Sequence, residues 1–446
     1  MGKLRLASFM LAVLVSGSAA AQSRLSLSGD LGLGAFDGAM HTTVQSGIAI
    51  DEGGLSIALF GRVRLVMHDN EARGVVRRRD YDEVTDYLAI LRRLRYQRRF
   101  DSVMLHASAG RLLGTTLGHG TIVRDYSNVA DIDHPRPGLR FGLSHARFDL
   151  ALMIDNFVKP SLVAGRLALR PVPALEGLSF GASLAMDPRA PVQVQPDAAG
   201  QRVVDSAWNL QSDNTALVVG GVDVEYQIGR RTHGLLPYFD FNVSGHGAAD
   251  AGNQLGFGIH VGARGALELD KAGRTRLTAR GELRYAGAAY APAWFQTFYD
   301  LERYQASLAL PASAVTRDGT RLSAAARQGE GLGALGELGL SAGSALSVRV
   351  GYSLSPLPDP HRIFVRFSTT PHWRVRLAGL LVVRGIGEPG ADIARGISAL
   401  AEARVSITKI FYALGQYTRL WSLDATTRTF GTLSGFNIAL GAHWSG

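Results

Sequence analysis

Residues 55–65 read LSIALFGRVRL, so apolar residues stand at nearly every second position and Arg62 and Arg64 fall between them. Successive side chains of a β-strand point to opposite faces, and the stretch therefore predicts a strand with one apolar face and one cationic face. Segments 276–285 (RLTARGELRY) and 373–384 (WRVRLAGLLVVR) repeat the pattern. Periodicity alone leaves two architectures open. One is a soluble sandwich with the apolar face in its core, and the other is a membrane barrel with that face in lipid.

The first residues have the features of an export signal. Lys3 and Arg5 precede an apolar run, and a series of small residues ends at Ala21. This order predicts a signal peptide at 1–21 and a mature chain at 22–446, the alternative being an uncleaved anchor. The chain has no cysteine, which excludes a lipoprotein anchor, disulfides and thiolate metal sites.

The charge balance points to anionic partners. The formal net charge is +9, and removing Lys3 and Arg5 leaves +7 for the mature part. Such a charge favours small anions or lipopolysaccharide. Nucleic acid is not expected as a partner, because the exported chain has no nucleic-acid-binding motif.

Turn-forming residues divide the chain into strands joined alternately by tight turns and longer connections. The longer connections are predicted at about 69–85, 114–137, 189–213, 290–329, 385–396 and 421–430. Short turns at one end and long loops at the other are typical of transmembrane barrels. The sequence thus predicts an all-β fold, a transmembrane antiparallel up-and-down β-barrel of about 18–20 strands that occupies residues 22–446.

The last strand carries a resemblance to a known family. Residues 435–444 read GFNIALGAHW and alternate aromatic or apolar residues with small or polar ones. This segment resembles the terminal strand of Gram-negative outer-membrane β-barrels, and the whole mature chain more loosely resembles the porins. The resemblance implies the outer membrane, periplasmic turns, extracellular loops, contact with lipid and lipopolysaccharide, and recognition by the barrel-insertion machinery. It is compatible with an oligomer. Many family members end in Phe, whereas here Ser445 and Gly446 follow Trp444.

In such a barrel the cationic faces of the strands line the lumen, because arginine on the lipid face costs a few kcal/mol at mid-membrane. The predicted pore-lining residues are Arg62, Arg64, Arg93, Arg95, Arg99, Arg140, Arg276, Arg280, Arg284, Arg374 and Arg376. A wall with more arginines than acids attracts anions. The alternative is that these arginines only solvate a wide lumen and pair with acids on neighbouring strands.

Two long connections are candidates for the lumen or its mouth. The 114–137 connection occupies the position in strand order of the porin loop that folds inward as a constriction, and this positional similarity implies the same role. Its predicted constriction residues are His119, Arg124, Asp125, Asp131 and Asp133. Acids there that face the basic wall would create a transverse field, while the alternative is an ordinary extracellular loop. The 290–329 connection is rich in aromatic residues and predicts a short amphipathic helix over or inside the mouth.

These observations predict an outer-membrane channel for passive diffusion of small hydrophilic, preferentially anionic solutes. The alternative is a loop-plugged structural or ligand-binding barrel without an open pore. No enzyme is expected, because the chain has no Gly-x-Ser-x-Gly elbow and the adjacent Ser144 and His145 point to opposite faces of a strand. No metal or other cofactor is predicted. A plugged transporter of fatty-acid type is disfavoured, because strand patterning begins at Leu25.

Overall fold

The computed structural model describes residues 24–36, 38–68, 75–131, 134–230, 232–248, 252–270, 272–316, 318–343, 345–356, 361–369, 374–424 and 427–445. The predicted signal peptide lies outside the described residues, as does Asp133.

The strands are β1 Arg24–Phe36, β2 Ala39–Glu52, β3 Leu55–His68, β4 Leu91–Phe100, β5 Val103–Gly110, β6 Val123–Arg124, β7 Gly138–Ser144, β8 Phe148–Ile154, β9 Val163–Leu169, β10 Leu178–Val194, β11 Ser212–Tyr226, β12 Ile228–Arg230, β13 His233–Ala248, β14 Gly252–Glu268, β15 Thr275–Ala286, β16 Phe295–Gln296, β17 Gly331–Ala342, β18 Leu346–Leu354, β19 His361–Thr369, β20 Val375–Ile386, β21 Ile397–Ser406, β22 Phe411–Leu423 and β23 Phe430–Ser445. The α-helices are α1 Val84–Leu88, α2 Tyr299–Glu302, α3 Arg321–Arg327 and α4 Ile393–Gly396. Short 3-10 helices lie at Arg78–Asp80, Pro173–Leu175 and Ala312–Ala314.

The strands form a closed antiparallel barrel. Strands β6 and β16 pair with each other as a separate parallel pair, and β12 continues β11, since both pair with β13. The remaining pairings join each strand to the next one in sequence, which gives twenty barrel strands within the described residues. The pairing of β1 with β23, with Leu31 opposite Leu440, closes the sheet. The prediction of a barrel of 18–20 strands is confirmed, and the sandwich alternative is wrong.

Alternation along the strands creates an apolar outer surface. Leu283, Leu332 and Leu440 are 72%, 77% and 66% exposed, and each lies between residues that face the interior. A soluble domain rarely exposes a continuous apolar surface of this extent, whereas a barrel in lipid requires one. The arginines of the same strands therefore point into the barrel, because the side-chain period is two.

The two ends of the barrel differ. One end has tight turns, such as Asp101 and Ser102 between β4 and β5. At the turn between β2 and β3, Gly54 has a φ of +94°, and a Cβ there would lie 2.2 Å from the carbonyl oxygen of Gln97. The other end has the long loops, in the predicted alternation. The described chain begins and ends at the tight-turn end, where Ser26 pairs with Ser445.

The core of the molecule lies inside the barrel and is built from loops. A cluster that includes Tyr126, Tyr290, Trp294 and Phe295 joins the 111–137 and 287–330 loops to inward residues of the wall. The four α-helices of the described chain have four to seven residues and belong to the long loops. Across the described residues, we find no helix with the length and apolarity that a bilayer crossing requires.

Candidate functional site

The 111–137 loop folds into the barrel and is attached to one side of the wall. Its His119 is bonded through Nδ1 to Asp240 at 3.0 Å and through Nε2 to Glu225 at 2.7 Å. From the wall, Arg264 donates to the carbonyl of Gly118 at 3.2 Å, and Arg280 donates to the carbonyl of His119. Burial would lower the pKa of His119, but the hydrogen bonds to Asp240 and Glu225 outweigh it and raise that pKa. These contacts hold the loop against β11–β15.

The 287–330 loop packs beside it, joined to the 111–137 loop through the β6–β16 pair. Glu302 at the end of α2 is fully buried and accepts hydrogen bonds from Arg321 at 2.9 Å and Gln296 at 3.2 Å. It also pairs with Arg384 of β20. Phe298 meets Trp421 edge to face with ring centroids 4.9 Å apart. The predicted aromatic helix is therefore present as the short α2, and it lies inside the barrel.

A third loop, the described part of which is residues 75–90, also turns inward. Asp80 accepts hydrogen bonds from Arg64 at 2.7 Å and Arg77 at 2.9 Å. The hydroxyl of Tyr81 donates to the backbone carbonyl of Arg62. Arg79 stacks on Trp208 of the loop between β10 and β11, 4.4 Å from the ring centroid. Sequence reasoning predicted this loop but not its inward course.

The three loops leave a cavity of about 380 Å³ along the opposite side of the barrel. Its walls come from β1–β4 and β21–β23 on one side and from the 75–90 and 111–137 loops on the other. This volume lies in the range of pockets that take small organic molecules. We treat the cavity as the candidate functional site.

Five arginines line the cavity. Arg64 is paired with Asp80 and Arg79 is stacked on Trp208, and the other three are Arg62 of β3, Arg92 of β4, and Arg111, which directly follows β5. We call these three the arginine triad. The backbone N–H of Arg111 donates to the carbonyl of Arg92 at 3.3 Å, which joins the second and third members. Among the described residues, no acidic side chain forms an ion pair with any member of the triad. Burial, with repulsion from Arg92 and Arg62, lowers the pKa of Arg111 to about 9, so its side chain stays charged at neutral pH.

A β-bulge places Arg92 in the cavity. Ala58 pairs with Arg93, whereas Leu59 pairs with Leu91, so Arg92 is an extra residue on β4. A bulge of this kind puts two successive side chains on nearly the same face. The guanidinium of Arg92 then lies over the ring of Phe60, 5.5 Å from its centroid. Cation–π contact with an inward aromatic ring stabilises this position.

The wall beside the triad, formed by β1, β2 and β21–β23, carries hydrogen-bonding groups and two carboxylates, and we call it the polar wall. Asn437 of β23 donates to Gln416 at 3.3 Å, and Gln416 donates to Glu402 at 3.0 Å. On the neighbouring strands, Gln45 donates to Asp30 at 3.3 Å. The Oδ1 atom of Asn437 is buried and has no hydrogen-bond partner. The cavity therefore has a cationic side and a polar side that can accept hydrogen bonds.

The predicted pore-lining arginines occupy three kinds of place. Arg62 faces the cavity, and Arg64, which also borders it, is paired with Asp80. Exposed side chains lie toward the tight-turn end, where the lumen is wide: Arg93, Arg95, Arg99, Arg374 and Arg376. Arg140 and Arg276 are half-buried on inward faces.

Arg280 and Arg284 differ from the expected position. Both face inward, but the folded loops cover them, and both donate to the buried carboxylate of Glu282. Arg284 is 3% exposed. They stabilise the loop-filled side of the barrel and do not line a water-filled surface, a correction that follows from long-range packing.

The predicted constriction residues are separated by the fold. Asp131 borders the cavity. His119 lies against the opposite wall, as described above. Arg124 and Asp125 also lie away from the triad: Arg124 donates to Glu337 at 2.8 Å, and Asp125 is 3.5 Å from Arg349. Asp125 therefore faces a wall arginine away from the cavity, whereas the acids that line the cavity together with the triad include Asp30 and Glu402.

One group of side chains has the composition of a metal site. Single ligand atoms of His119, Asp223 and Asp240 lie within 4.8 Å of one another. Arg166, however, makes two hydrogen bonds to Asp223, so a guanidinium already balances this carboxylate. We interpret the group as the attachment of the inward loop. His134, the other histidine of this loop, bonds to Asp131 at 3.0 Å and lies elsewhere.

Sequence reasoning missed several cavity residues. Arg92 was missed because strict alternation places it on the apolar face, and only the bulge reverses it. Arg111 and Asp86 lie in loops, where no periodicity applies. Asp30 shares the polar face of β1 with Ser26 and Ser28, a signal that was present in the sequence.

The described residues form a closed barrel with an apolar outer surface and loops that fold inward. The chain has a porin-like fold, a closed antiparallel β-barrel of twenty strands. No protein-family model and no curated protein matches the sequence.

Several solved structures are similar to this chain over nearly their whole length. They include OpdK of Pseudomonas aeruginosa crystallised with vanillate (TM-score 0.35, 8% identity, 95% of this chain and 99% of that chain). OccK3 (OpdO) of the same organism has a TM-score of 0.35 and 11% identity, over 95% of this chain and 96% of that one. OccAB2 of Acinetobacter baumannii has a TM-score of 0.32 and 9% identity, over 96% and 100%. Similarities this low transfer neither a substrate nor a mechanism.

Proposed function

We propose that this protein is an outer-membrane channel for passive diffusion of small anionic solutes. The observation that carries the proposal is the arginine triad, three half-buried guanidinium groups that face the remaining cavity and form no ion pair with an acid among the described residues. A partly desolvated charge that lacks an ion-pair partner is unfavourable, and a passing anion relieves it. Arginine rings and walls of this kind favour anions over cations in pores.

The outer surface supports the proposed location. Its apolar side chains are suited to lipid, and the long loops at one end are suited to a lipopolysaccharide-covered face. The alternating last strand is suited to recognition by the barrel-insertion machinery, since its lipid-type residues Phe436, Ile438 and Leu440 are all exposed.

A second function has an observation of its own. Tyr126, Trp294 and Tyr299 are fully buried inside the barrel, so the loops fill much of the lumen. This packing favours a barrel that binds a solute without conducting ions. The two functions share the cavity and differ in whether ions cross it.

The deciding experiment is conductance of refolded protein in a planar bilayer with a roughly tenfold KCl gradient. We expect discrete open steps and a reversal potential of the sign given by chloride flux. Folded protein that inserts and stays silent would contradict the channel and favour the closed, solute-binding barrel. Open steps with cation preference would contradict the role of the triad.

The channel should also respond to pH through Asp86 of α1, which borders the cavity. Burial is the main cause that raises the pKa of Asp86 to about 7, and nearby Asp82 contributes. The carboxyl is therefore charged above neutral pH and uncharged below it. We expect anion preference to increase as pH falls from about 8 to about 6, because a negative charge leaves the cavity wall.

Asp86→Asn tests this assignment. Reversal potentials measured at both pH values should become nearly equal, and both should match the wild-type value at low pH. His134 and Asp82 lie close enough to Asp86 to contribute to pH dependence. An unchanged pH response in Asp86→Asn would assign the effect to one of those groups instead.

A further inference from the structure

We infer that the cavity takes a small phosphorylated polyol, a solute with a doubly charged phosphate at one end and several hydroxyl groups at the other. This inference deepens the proposed function, because it rests on the same cavity and names its class of solute. Two separate features of the cavity support this inference: the charge of the triad and the hydrogen-bonding groups of the polar wall.

The triad has more charge than a single carboxylate or halide balances. Arg62, Arg92 and Arg111 present three guanidinium groups, and none of them forms an ion pair with an acid among the described residues. A phosphate monoester is close to a dianion at neutral pH and has three terminal oxygens. Arginine suits such groups, because its planar fork donates two parallel hydrogen bonds to oxyanions.

Aromatic rings hold Arg92 of the triad and two neighbouring arginines in place before any solute arrives. Phe60 supports Arg92, and Phe36 lies under the guanidinium groups of Arg64 and Arg77 at 5.1 and 5.2 Å. The Nε atom of Arg111 is buried without a hydrogen-bond partner. A buried donor without a partner is costly, and a phosphate oxygen would satisfy it.

The polar wall is unsuited to a bare anion. The carboxylates of Asp30 and Glu402 repel negative charge, but they accept hydrogen bonds from hydroxyl groups. The unpartnered, buried Oδ1 of Asn437 is a further acceptor. A cavity of about 380 Å³ is larger than a single inorganic anion requires. A solute that reaches from the triad to this wall needs an anionic end and a hydroxyl-bearing body.

The test is calorimetric titration of the folded protein in detergent at about pH 7.5, with four probes: glucose 6-phosphate, glucuronate, glucose and inorganic phosphate. We expect glucose 6-phosphate to bind at least tenfold more tightly than each of the others. Binding of glucuronate as tight as that of glucose 6-phosphate would overturn the preference for a dianion. Binding of inorganic phosphate as tight would overturn the role of the polyol.

Variants separate the two ends of the solute. Arg62→Gln with Arg111→Gln should weaken both phosphate-bearing probes at least tenfold. Asn437→Ala should weaken glucose 6-phosphate and leave inorganic phosphate unchanged. Arg95→Gln, in the wide part of the lumen, is the matched control and should change neither. Loss of glucose 6-phosphate binding in Arg95→Gln, or its retention in the double variant, would overturn the site.

The same probes in the bilayer separate this inference from the proposed function. Block of the KCl current by glucose 6-phosphate at the concentration that saturates the calorimetric site would support both. An anion-preferring channel with no selective phosphate binding leaves the channel intact and overturns only the solute class. Selective binding to a silent barrel overturns the channel and retains the solute class.

Discussion

Charge reversal at two members of the triad, Arg62→Glu with Arg92→Glu, is expected to change the sign of the reversal potential in a KCl gradient. The substitution changes the net charge of the triad from three positive charges to one negative charge. Asp30 and Glu402 line the same cavity, so its wall becomes mainly acidic. Two unit charges about 4 Å apart interact by about 1 kcal/mol in bulk water and about 4 kcal/mol near a protein surface. Each ~1.4 kcal/mol corresponds to a tenfold change in preference, so the chloride-to-potassium permeability ratio should fall at least tenfold.

The matched control is Arg93→Glu with Arg95→Glu on β4, the strand that also carries Arg92. These side chains are exposed at the wide end of the lumen, and Arg93 is 3.9 Å from the equally exposed Asp51. Water screens such charges, so this variant should lower anion preference only slightly. Equal effects of the two double variants would contradict a selectivity filter at the triad. The neutral variant Arg62→Gln with Arg92→Gln gives the intermediate value and reports on folding.

Glu302→Gln is expected to release the 287–330 loop and raise single-channel conductance severalfold. Glu302 is fully buried and pairs with both Arg321 and Arg384. Removing its charge breaks the ion pairs that a buried carboxylate makes with two buried guanidinium groups, and breaking a buried ion pair in this way costs about 3–5 kcal/mol. We expect this loss of stability to detach the loop and to leave the barrel folded, because the strands of the wall remain hydrogen-bonded to one another.

Two measurements check the release. Conductance should increase with more frequent current noise, and trypsin should cleave after Arg303 or Arg321, which are buried in the folded loop. Glu176→Gln is the control, because Glu176 is exposed beside a tight turn at the opposite end. Wild-type conductance and protease resistance in Glu302→Gln would show that the loop does not limit the pore. Heat-dependent gel mobility would confirm that both variants remain folded barrels.

The sequence alone was sufficient for the barrel, its approximate strand number and the alternation of tight turns and long loops. Strands alternate their side chains with a period of two, so local order decides that Arg62, Arg140 and Arg376 face inward while Leu283 and Leu440 face outward. A period of two does not by itself say whether the apolar face lies in a core or in lipid. The soluble sandwich was therefore disfavoured only when the strand pattern was combined with the alternation of turn lengths. These properties depend on neighbours a few residues apart.

Only the tertiary structure decided which inward arginines face a cavity. The contact of His119 with Asp240 joins residues 121 positions apart, and that of Arg124 with Glu337 joins residues 213 positions apart. No local period encodes such contacts, yet they place two loops over Arg280 and Arg284 and leave Arg62 facing the cavity. Arg92 reached the cavity through one extra residue in a strand, and Arg111 and Asp86 through loop folding. Strand faces were thus determined by the local sequence, whereas the site was determined by long-range packing inside the closed wall.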